Sequence, residues 1–500
     1  MRSGSCLSLV LLLVVGAAPL AAVVPVPGSS TPYGYKNVLP GFSFFTADDG
    51  VTGYELWRTD GTPAGTFRLT DACPGECSSQ PAFLGSSDHL SFFQVTGASG
   101  MELWVTDGTT AGTLFLTSAV QFPGLGRWVA SQRLLYFAAD DGIHGSELWR
   151  SDGTPAGTFL VADLRPGSGG SAVKALVDFN GRIFFQANDG RGPSLWTSDG
   201  TPQGTRLVKN LAPSATLQDL QPFFGVIGKE LVFTGPTPSH GIQLWRSDGT
   251  AKGTFVFTSL KHRSQSIPFV DFAVLGNRLF FEAAAGSSGL QLWATDGTAK
   301  GTQMLTRFHP RSSGGLFLIA PFGHRLVFAA DDGPHGFEYW TTDGTPRGTA
   351  LLKDLCPGPC SGAWTEGIQA GNLLYLVGTD GVHGQEPWVS DGTAAGTHMI
   401  ADLCEGSCDS SPSSIRPAGG FVYFGANDGN GRQIWRSNGT AQGTFPLTEA
   451  LSLFPFDPFL NGIVLGNTLI FTAGDAANGT ELWRSDGTPQ GTGLLADLSP

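Results

Sequence analysis

The chain repeats one short motif ten times, Glu-Leu-Trp-x-x-Asp-Gly-Thr-x-x-Gly-Thr, and successive copies lie 45 to 49 residues apart. A period this constant predicts one supersecondary unit copied in tandem, because each copy buries its apolar faces against its neighbours. The repeat therefore constrains the architecture far more than the function. The tryptophans of the ten motifs, which we interpret as structural, are Trp57, Trp104, Trp149, Trp196, Trp245, Trp293, Trp340, Trp388, Trp435 and Trp483.

The composition narrows the class of protein. Of the 500 residues, 41% are hydrophobic and 14% are charged, so the chain can build a large core and is not of the disordered type. Glycine (71) and proline (32) are abundant, and their regular placement indicates many tight turns. The formal net charge of −13 argues against a nucleic-acid partner, since binding to a phosphate backbone needs a basic surface.

The N-terminal segment has the pattern of a secretory signal. An apolar run, Leu7–Val24, follows Arg2 and is interrupted by Gly16 and Pro19. We expect residues 1–24 to be a signal peptide and residues 25–40 a lead-in, so that the mature protein is secreted or displayed at the cell surface. The alternative is an uncleaved membrane anchor, since the run approaches spanning length. No other segment has the length and apolarity to span a bilayer.

Six cysteines form three Cys-x-x-x-Cys pairs, each 16 to 20 residues after the tryptophan of its repeat. In an exported chain, three such pairs predict three local disulfides, each closing one loop. Zinc binding is the alternative, but a zinc site needs four converging ligands and these pairs belong to repeats 1, 7 and 8. The predicted disulfides are Cys73–Cys77, Cys356–Cys360 and Cys404–Cys408.

One repeat can be divided into four short strands, which we call a, b, c and d in chain order. Val173–Phe179 is apolar and ends in an Asn-Gly pair, a strong hairpin signal. Arg182–Ala187 is rich in aromatic and β-branched residues, as strands are. Ser194–Thr197 contains the motif tryptophan, and Thr205–Leu211 is the fourth strand. The motif thus occupies strand c and the turn between strands c and d.

The turn Asp152–Thr158 shows what the second half of the motif does. Its Thr-Pro-Ala-Gly sequence suits a type I turn, and the Asp152 carboxylate can accept local backbone N–H groups in an Asx turn. On strand c, Leu148 and Trp149 point to opposite faces of the sheet, so both faces are apolar. We therefore interpret the recurring aspartate as structural and not as catalytic.

Four antiparallel strands per repeat, covered on both faces, are typical of a β-propeller blade. We predict an all-β protein with ten four-stranded repeats over residues 41–500, each motif tryptophan being buried between adjacent blades. A β-solenoid or a chain of sandwiches is the alternative, but no Pro/Ser-rich linker separates the repeats. One ring of ten blades is favoured over two five-bladed rings divided near Lys261–Asp271, since no change of composition marks that point.

The motif resembles that of the ELWxxDGT repeat family of bacterial exported proteins. The resemblance extends from about Gly41 to Leu498, and it implies a β-rich, propeller-like fold with a role at the cell surface but no defined reaction. The departures from the motif are few: Ser194 replaces Glu, Tyr339 and Pro387 replace Leu, and Asn438 replaces Asp.

Turns between strands b and c are the strongest candidates for a ligand site, because variable loops on a rigid scaffold often bind ligands. Several share the sequence Asp-Gly-x-His-Gly, followed by the strand-c glutamate. Such carboxylates could supply hard oxygen ligands for calcium, although Asp-Gly is also ordinary turn chemistry. No cofactor other than calcium is indicated. The candidate calcium ligands are Asp141, Glu147, Asp332, Glu338, Asp380 and Glu386.

Three functions remain consistent with the sequence. The favoured one is an exported, non-enzymatic scaffold that binds a protein or a glycan. The second is a structural or adhesive surface protein, stabilised by calcium in one version. The third is a carbohydrate-active enzyme, which would need a unique carboxylate pair in one pocket, whereas the acidic residues here mostly recur with the period. No EF-hand, phosphate-binding loop, HExxH or GxSxG motif occurs in the chain.

Overall fold

The structure, a computed structural model, describes residues 30–97, 100–118, 121–122, 128–212, 223–238, 241–260, 269–284, 289–308, 315–448, 462–475 and 477–499. In these ranges the chain forms forty β-strands, assembled into ten four-stranded sheets, and no helix. Each sheet takes four consecutive strands and pairs them antiparallel in chain order. The predicted all-β fold with ten four-stranded blades is confirmed. The signal-peptide prediction for residues 1–24 lies outside the described residues.

The blades are numbered 1 to 10 along the chain, and each contributes one strand to each of four positions. The a strands are β1 Tyr33–Leu39, β5 Ala82–Ser87, β9 Trp128–Ser131, β13 Lys174–Phe179, β17 Phe224–Ile227, β21 Phe269–Leu275, β25 Leu316–Phe322, β29 Ala363–Ala370, β33 Ser413–Ala418 and β37 Gly462–Leu465. The b strands are β2 Phe42–Asp48, β6 Leu90–Gly97, β10 Leu134–Asp140, β14 Arg182–Asn188, β18 Glu230–Thr237, β22 Arg278–Ala284, β26 Arg325–Asp331, β30 Leu373–Gly378, β34 Phe421–Asn427 and β38 Thr468–Asp475. The c strands are β3 Tyr54–Thr59, β7 Gly100–Thr106, β11 Ser146–Ser151, β15 Pro193–Ser198, β19 Gly241–Ser247, β23 Leu290–Thr295, β27 Phe337–Thr342, β31 Glu386–Ser390, β35 Arg432–Ser437 and β39 Gly479–Ser485. The d strands are β4 Phe67–Arg68, β8 Leu114–Thr117, β12 Phe159–Ala162, β16 Arg206–Asn210, β20 Phe255–Val256, β24 Gln303–Met304, β28 Ala350–Lys353, β32 His398–Met399, β36 Phe445–Pro446 and β40 Gly493–Ala496.

The ten blades form one closed ring. The a strand of every blade contacts the a strand of the next, and β37 of blade 10 contacts β1 of blade 1. The a strands therefore surround the central channel and the short d strands form the rim. One ten-bladed ring is confirmed, and the alternative of two five-bladed rings is wrong. No helix of the described residues is long and apolar enough to cross a membrane.

The ring begins earlier in the chain than the sequence indicates. Strand β1, Tyr33–Leu39, is the a strand of blade 1, although it lies in the segment 25–40 that was interpreted as a lead-in. Its alternation is hidden by two register shifts against β2 and by Gly34, which adopts a φ of +71°. The propeller therefore starts before residue 41.

The core is divided among the blade interfaces. Buried side chains form ten clusters, and each cluster joins two adjacent blades. Leu103 and Val105 of blade 2, for example, pack with Phe137 and Trp149 of blade 3. The last interface joins blade 10 to blade 1 in the same way, through Leu482 and its neighbours. Blade-to-blade packing of this kind explains why a single blade could not be stable alone.

A network of side-chain hydrogen bonds explains the Asp-Gly-Thr-x-x-Gly-Thr half of the motif. In blade 3, Asp152 Oδ1 accepts the N–H of Thr154 at 2.9 Å and its hydroxyl at 2.7 Å. Thr154 Oγ1 accepts the N–H of Gly157 at 3.0 Å. A Cβ on Gly157 would lie 2.0 Å from Asp152 Oδ1, so only glycine fits there. Thr158 bonds Ser151 at 2.7 Å and thereby ties strands c and d together.

Neighbouring blades are also linked by polar contacts between strand c and the next motif turn. Arg58 of blade 1 donates to the Gly108 carbonyl of blade 2 at 2.8 Å. Arg436 of blade 9 makes the equivalent bond to Gly487 at 2.7 Å. Because the acceptor glycines sit at positive φ, their carbonyls are turned towards the preceding blade. The motif therefore stabilises the ring both within and between blades.

Candidate functional site

The turns between strands b and c lie on the same side of the ring as the connections between blades, and we call this side the loop face. The motif turns between strands c and d lie on the opposite side. This placement follows from the up-and-down order of the four strands in every blade. The predicted calcium ligands and all three cysteine pairs are thereby brought to the loop face or directly beneath it.

The motif tryptophans lie between blades and do not form an exposed row. Each one packs in a cluster with the preceding blade, as Trp149 does with blade 2 and Trp57 with blade 10. Trp57, Trp149, Trp245, Trp340, Trp388 and Trp435 are buried. Trp104, Trp196, Trp293 and Trp483 are partly buried at the equivalent interfaces. Their positions are those of packing residues, with no stacking ladder on the surface.

The three cysteine pairs are bonded within the connections that follow blades 1, 7 and 8. The Cα atoms are 5.3 Å apart in each of Cys73–Cys77, Cys356–Cys360 and Cys404–Cys408. The connections lie against the b–c turns. A Cβ on Gly381 of blade 8 would be 2.6 Å from Cys356 Sγ, and one on Gly384 would be 1.9 Å from the Cys408 carbonyl oxygen. On blade 8 the b–c turn is thus held between two disulfide loops.

The aspartate of the Asp-Gly-x-His-Gly turns binds its own turn. Asp141 Oδ1 accepts the N–H groups of Ile143 and His144 at 2.9 and 2.8 Å, and Oδ2 lies 2.7 Å from His144 Nδ1. Burial alone would raise the pKa of Asp141, but these hydrogen bonds outweigh it and lower the pKa to about 2. The bond to Asp141 raises the pKa of His144. Asp332–His335 and Asp380–His383 pair in the same way, at 2.8 Å.

The strand-c glutamate turns inward and binds the connection that follows its blade. Glu338 accepts the N–H groups of Leu355 and Cys356 at 3.1 Å and that of Gly362 at 2.9 Å. Glu147 and Glu386 accept equivalent bonds and are fully buried. Burial raises the pKa of Glu338 to about 7. A glutamine can take this place, because Gln243 and Gln291 bond the connections of blades 5 and 6.

The structure therefore separates the partners of the predicted calcium sites. In each of the pairs Asp141/Glu147, Asp332/Glu338 and Asp380/Glu386, the aspartate bonds the turn and the glutamate bonds the connection beneath it. The part of the chain that the structure describes contains no group of three or more His, Cys, Asp or Glu residues arranged to hold a metal ion. Calcium binding remains a prediction, which a comparison of the melting temperature in calcium and in chelator would test.

Two exposed aromatic side chains mark a different position, which the sequence analysis did not identify. Phe317 on β25 and Trp364 on β29 are each 43% exposed. Both are the second residue of an a strand, at the end nearest the loop face, on the adjacent blades 7 and 8. Val382, 70% exposed, tips the b–c turn of blade 8. We call Phe317, Trp364 and Val382 the channel mouth. The sequence signal that could have identified this position is Trp364 itself, because it does not belong to the ten repeat motifs.

The backbone beneath the channel mouth is fixed by residues that depart from the repeat. Tyr339, which stands where the motif has leucine, donates its hydroxyl to the Val377 carbonyl of blade 8 at 2.8 Å. The same oxygen accepts the N–H of Trp364 at 3.2 Å. Glu366, two residues further, accepts the N–H of Ser414 in blade 9 at 2.5 Å. Blades 7, 8 and 9 are thereby tied together on the channel side, which gives Trp364 a rigid base.

No family model matches this sequence, and no curated protein is similar to it in sequence. Among solved structures, puromycin hydrolase is similar with 14% identity and a TM-score of 0.32, over 66% of this chain and 54% of that one. A puromycin-hydrolyzing peptidase of Mycobacterium tuberculosis is similar with 10% identity and a TM-score of 0.33, over 79% and 58%. The β-propeller domain of the Trilobed protease from Pyrococcus furiosus has 12% identity and a TM-score of 0.28, over 66% and 99%. This chain spans little more than half of the first two proteins, and at this level of similarity their activities say nothing about it.

Proposed function

We propose that this protein is an exported, non-catalytic scaffold that binds a protein or a glycan at the channel mouth on blades 7 and 8. The observation that carries the proposal is the exposure of two large aromatic residues, Phe317 and Trp364, at equivalent positions on the adjacent a strands of blades 7 and 8. Large aromatic side chains held rigid at a surface are typical of binding hot spots. In a ring of near-identical repeats, the feature that breaks the repetition is the best candidate for a specific site.

The carboxylates of the loop face support binding rather than catalysis. Asp332, Asp380, Glu338 and Glu386 recur with the period and are each engaged by a turn or a connection. A glycoside hydrolase needs two carboxylates facing one substrate bond, and these side chains are instead aimed at backbone N–H groups. Export is supported by the three disulfides, which persist in oxidising compartments. We also propose membership of the ELWxxDGT repeat family, on the motif alone.

The proposal is tested by incubating the mature protein on arrays of glycans and cell-surface proteins. We expect a ligand whose binding falls about tenfold or more when Trp364 or Phe317 is changed to Ala, since truncation of a hot-spot residue costs about 2 kcal/mol or more. Phe255→Ala is the matched control, because Phe255 is 45% exposed on the outer strand β20. Binding that is lost equally in the Phe255 variant, or kept in the Trp364 variant, would place the site elsewhere. A protein that binds nothing yet self-associates at its surface would favour the structural or adhesive function.

A further inference from the structure

We infer that the ligand of the channel mouth is a cationic segment of a polypeptide, carrying lysine or arginine beside apolar residues. The inference rests on the proposed function, since it names the partner of the same site. It is based on two properties of the surface around Trp364, namely its negative charge and its exposed apolar side chains.

Four segments form the loop face at the channel mouth, and none contains lysine or arginine. They are the b–c turns 331–336 and 380–386 and the connections 354–366 and 402–411. Their acidic residues include Glu405, which is exposed, and Asp354, Asp402 and Asp409, each of which accepts a backbone N–H. The surface therefore carries a local excess of negative charge, on a chain whose net charge is −13. Such a field attracts cations and speeds their association.

The b–c turn of blade 8 lies between the two acidic disulfide loops, and Trp364 follows the first of these loops in the chain. Trp364 follows Cys360 by four residues, directly after the first disulfide loop. The turn bearing Val382 packs on that loop and on the second one, because Gly381 abuts Cys356 and Gly384 abuts Cys408. His383 Nε2 of this turn lies 3.9 Å from Asp402 Oδ2. The b–c turn of blade 8 therefore joins the connection that leads into Trp364 to the connection that contains Asp402.

Arg432, the first residue of β35, does not neutralise this surface. Arg432 of blade 9 donates to the Ser411 carbonyl at 3.2 Å and to the Ser413 hydroxyl, so its guanidinium is engaged at the start of β33. Asp354 and Asp402 each accept one backbone N–H, at 3.4 and 3.0 Å, and the second carboxylate oxygen of each is buried, with no partner among the described residues. The exposed carboxylate of Glu405, in the connection that follows blade 8, suits an incoming ammonium or guanidinium group.

The indole, the carboxylates and the apolar side chains together indicate the chemical class of the ligand. An indole face attracts a lysine or arginine side chain by a cation–π contact, and the flanking carboxylates add charge-assisted hydrogen bonds. Val382 and Phe317 offer apolar contact to the residues between the charges. An anionic ligand would be repelled, and a neutral glycan would leave the carboxylates unused.

The probe is a short synthetic peptide of alternating lysine and leucine, with a glutamate–leucine peptide and neutral oligosaccharides as comparisons. Binding to the mature protein is measured by fluorescence anisotropy at low and high salt. We expect binding of the lysine peptide only, weakened at high salt. Trp364→Ala should weaken it by about tenfold or more, and Glu405→Gln by about twofold to fivefold. Glu76→Gln is the matched control, because Glu76 is an exposed acid in the disulfide loop of blade 1.

Each outcome of these binding measurements supports or contradicts the cationic ligand or the proposed binding site. Equal losses in the Glu405 and Glu76 variants would show a non-specific response to net charge and would overturn the inference. A neutral oligosaccharide that binds and is lost in Trp364→Ala would leave the proposed function standing and reject the cationic ligand. If lysine-peptide binding survives in Trp364→Ala at full strength, both the site and the inference are wrong. Melting curves of every variant identify any loss of folding.

Discussion

Glu481 in the last blade accepts two hydrogen bonds from Ser30, the residue that precedes the first blade. The N–H of Ser30 lies 2.8 Å from Glu481 Oε1, and its hydroxyl lies 2.6 Å from Oε2. In blade 8 the equivalent carboxylate, Glu386, accepts the hydroxyl of Ser410, 24 positions later, at 2.7 Å. Ser30 therefore occupies the place that an eleventh repeat would supply. The ring is closed by a connection segment and by side-chain packing, and the described residues exchange no strand between blades.

Removal of Ser30 should weaken the contact between blade 10 and the start of blade 1. In a chain that begins at Pro32, the buried Glu481 carboxylate loses both donors of Ser30 and keeps the N–H of Leu498 at 2.9 Å, and an unsatisfied buried acceptor costs about 1–3 kcal/mol. We expect a lower melting temperature and faster proteolysis of blades 1 and 10. A chain that begins at residue 28 is the control, since it keeps Ser30 and should melt as the longer mature protein does. Identical melting of the two truncated chains would contradict this role of Ser30.

Truncation of Trp149 should destabilise the protein strongly, whereas truncation of Trp364 should change its stability little. Trp149 is 8% exposed between blades 2 and 3, so Trp149→Ala should reduce the free energy of unfolding by about 3–5 kcal/mol. Trp364→Ala removes a side chain that is 43% exposed and should change stability by less, about 1 kcal/mol or below. Chemical denaturation monitored by circular dichroism measures both. A stable Trp149 variant would contradict the assignment of the motif tryptophans to the core.

Glu282 on β22 should make the stability depend on pH. It is 1% exposed, its Oε1 has no partner among the described residues, and burial together with Asp271 raises its pKa to about 8. A raised pKa in the folded state means that the stabilisation is complete below the ordinary value near 4.5 and is lost as the pH rises through 8. We therefore expect the wild-type protein to melt at a lower temperature at pH 9 than at pH 6.

Glu282→Gln tests this assignment directly. Gln186 holds the equivalent position in blade 4, opposite the motif leucine, and donates to the Thr234 carbonyl of blade 5 at 2.6 Å. An amide at position 282 can act in the same way without titrating. We expect Glu282→Gln to raise the stability at pH 9 by roughly 2–4 kcal/mol and to change it little at pH 5. An equal effect at both pH values would show that Glu282 is not the titrating group.

Calcium should leave the melting temperature unchanged if the observed hydrogen bonds are the whole role of the turn carboxylates. Both oxygens of the Asp141 carboxylate are hydrogen-bonded to Ile143 or His144, and Glu147 is buried beneath the turn. A cation bound only to the folded state would raise the midpoint by mass action. Melts in excess calcium and in chelator separate the two accounts. A rise that disappears in Asp141→Asn would restore the calcium prediction.

The blades and their arrangement in one ring could be predicted from the sequence, but the contacts that close the ring and the candidate site could not. The period, the Asn180-Gly181 hairpin and the motif turn predicted the four strands because local turn chemistry determines them. The strand Tyr33–Leu39 was missed because its register shifts break the alternation on which the prediction depends. Trp364 is visible in the sequence, but its exposure depends on which strand lines the channel, and that is decided only by ring closure.

The central claim, that the channel mouth on blades 7 and 8 is the binding site, is tested most directly by hydrogen–deuterium exchange with and without the lysine–leucine peptide. We expect slower exchange of backbone amides in segments 315–318, 354–366 and 380–386, where the structure places Phe317, Trp364 and Val382. The motif turns on the opposite face, such as Asp152–Thr158, should exchange equally in both samples. Protection confined to those turns or to the outer d strands would contradict the account.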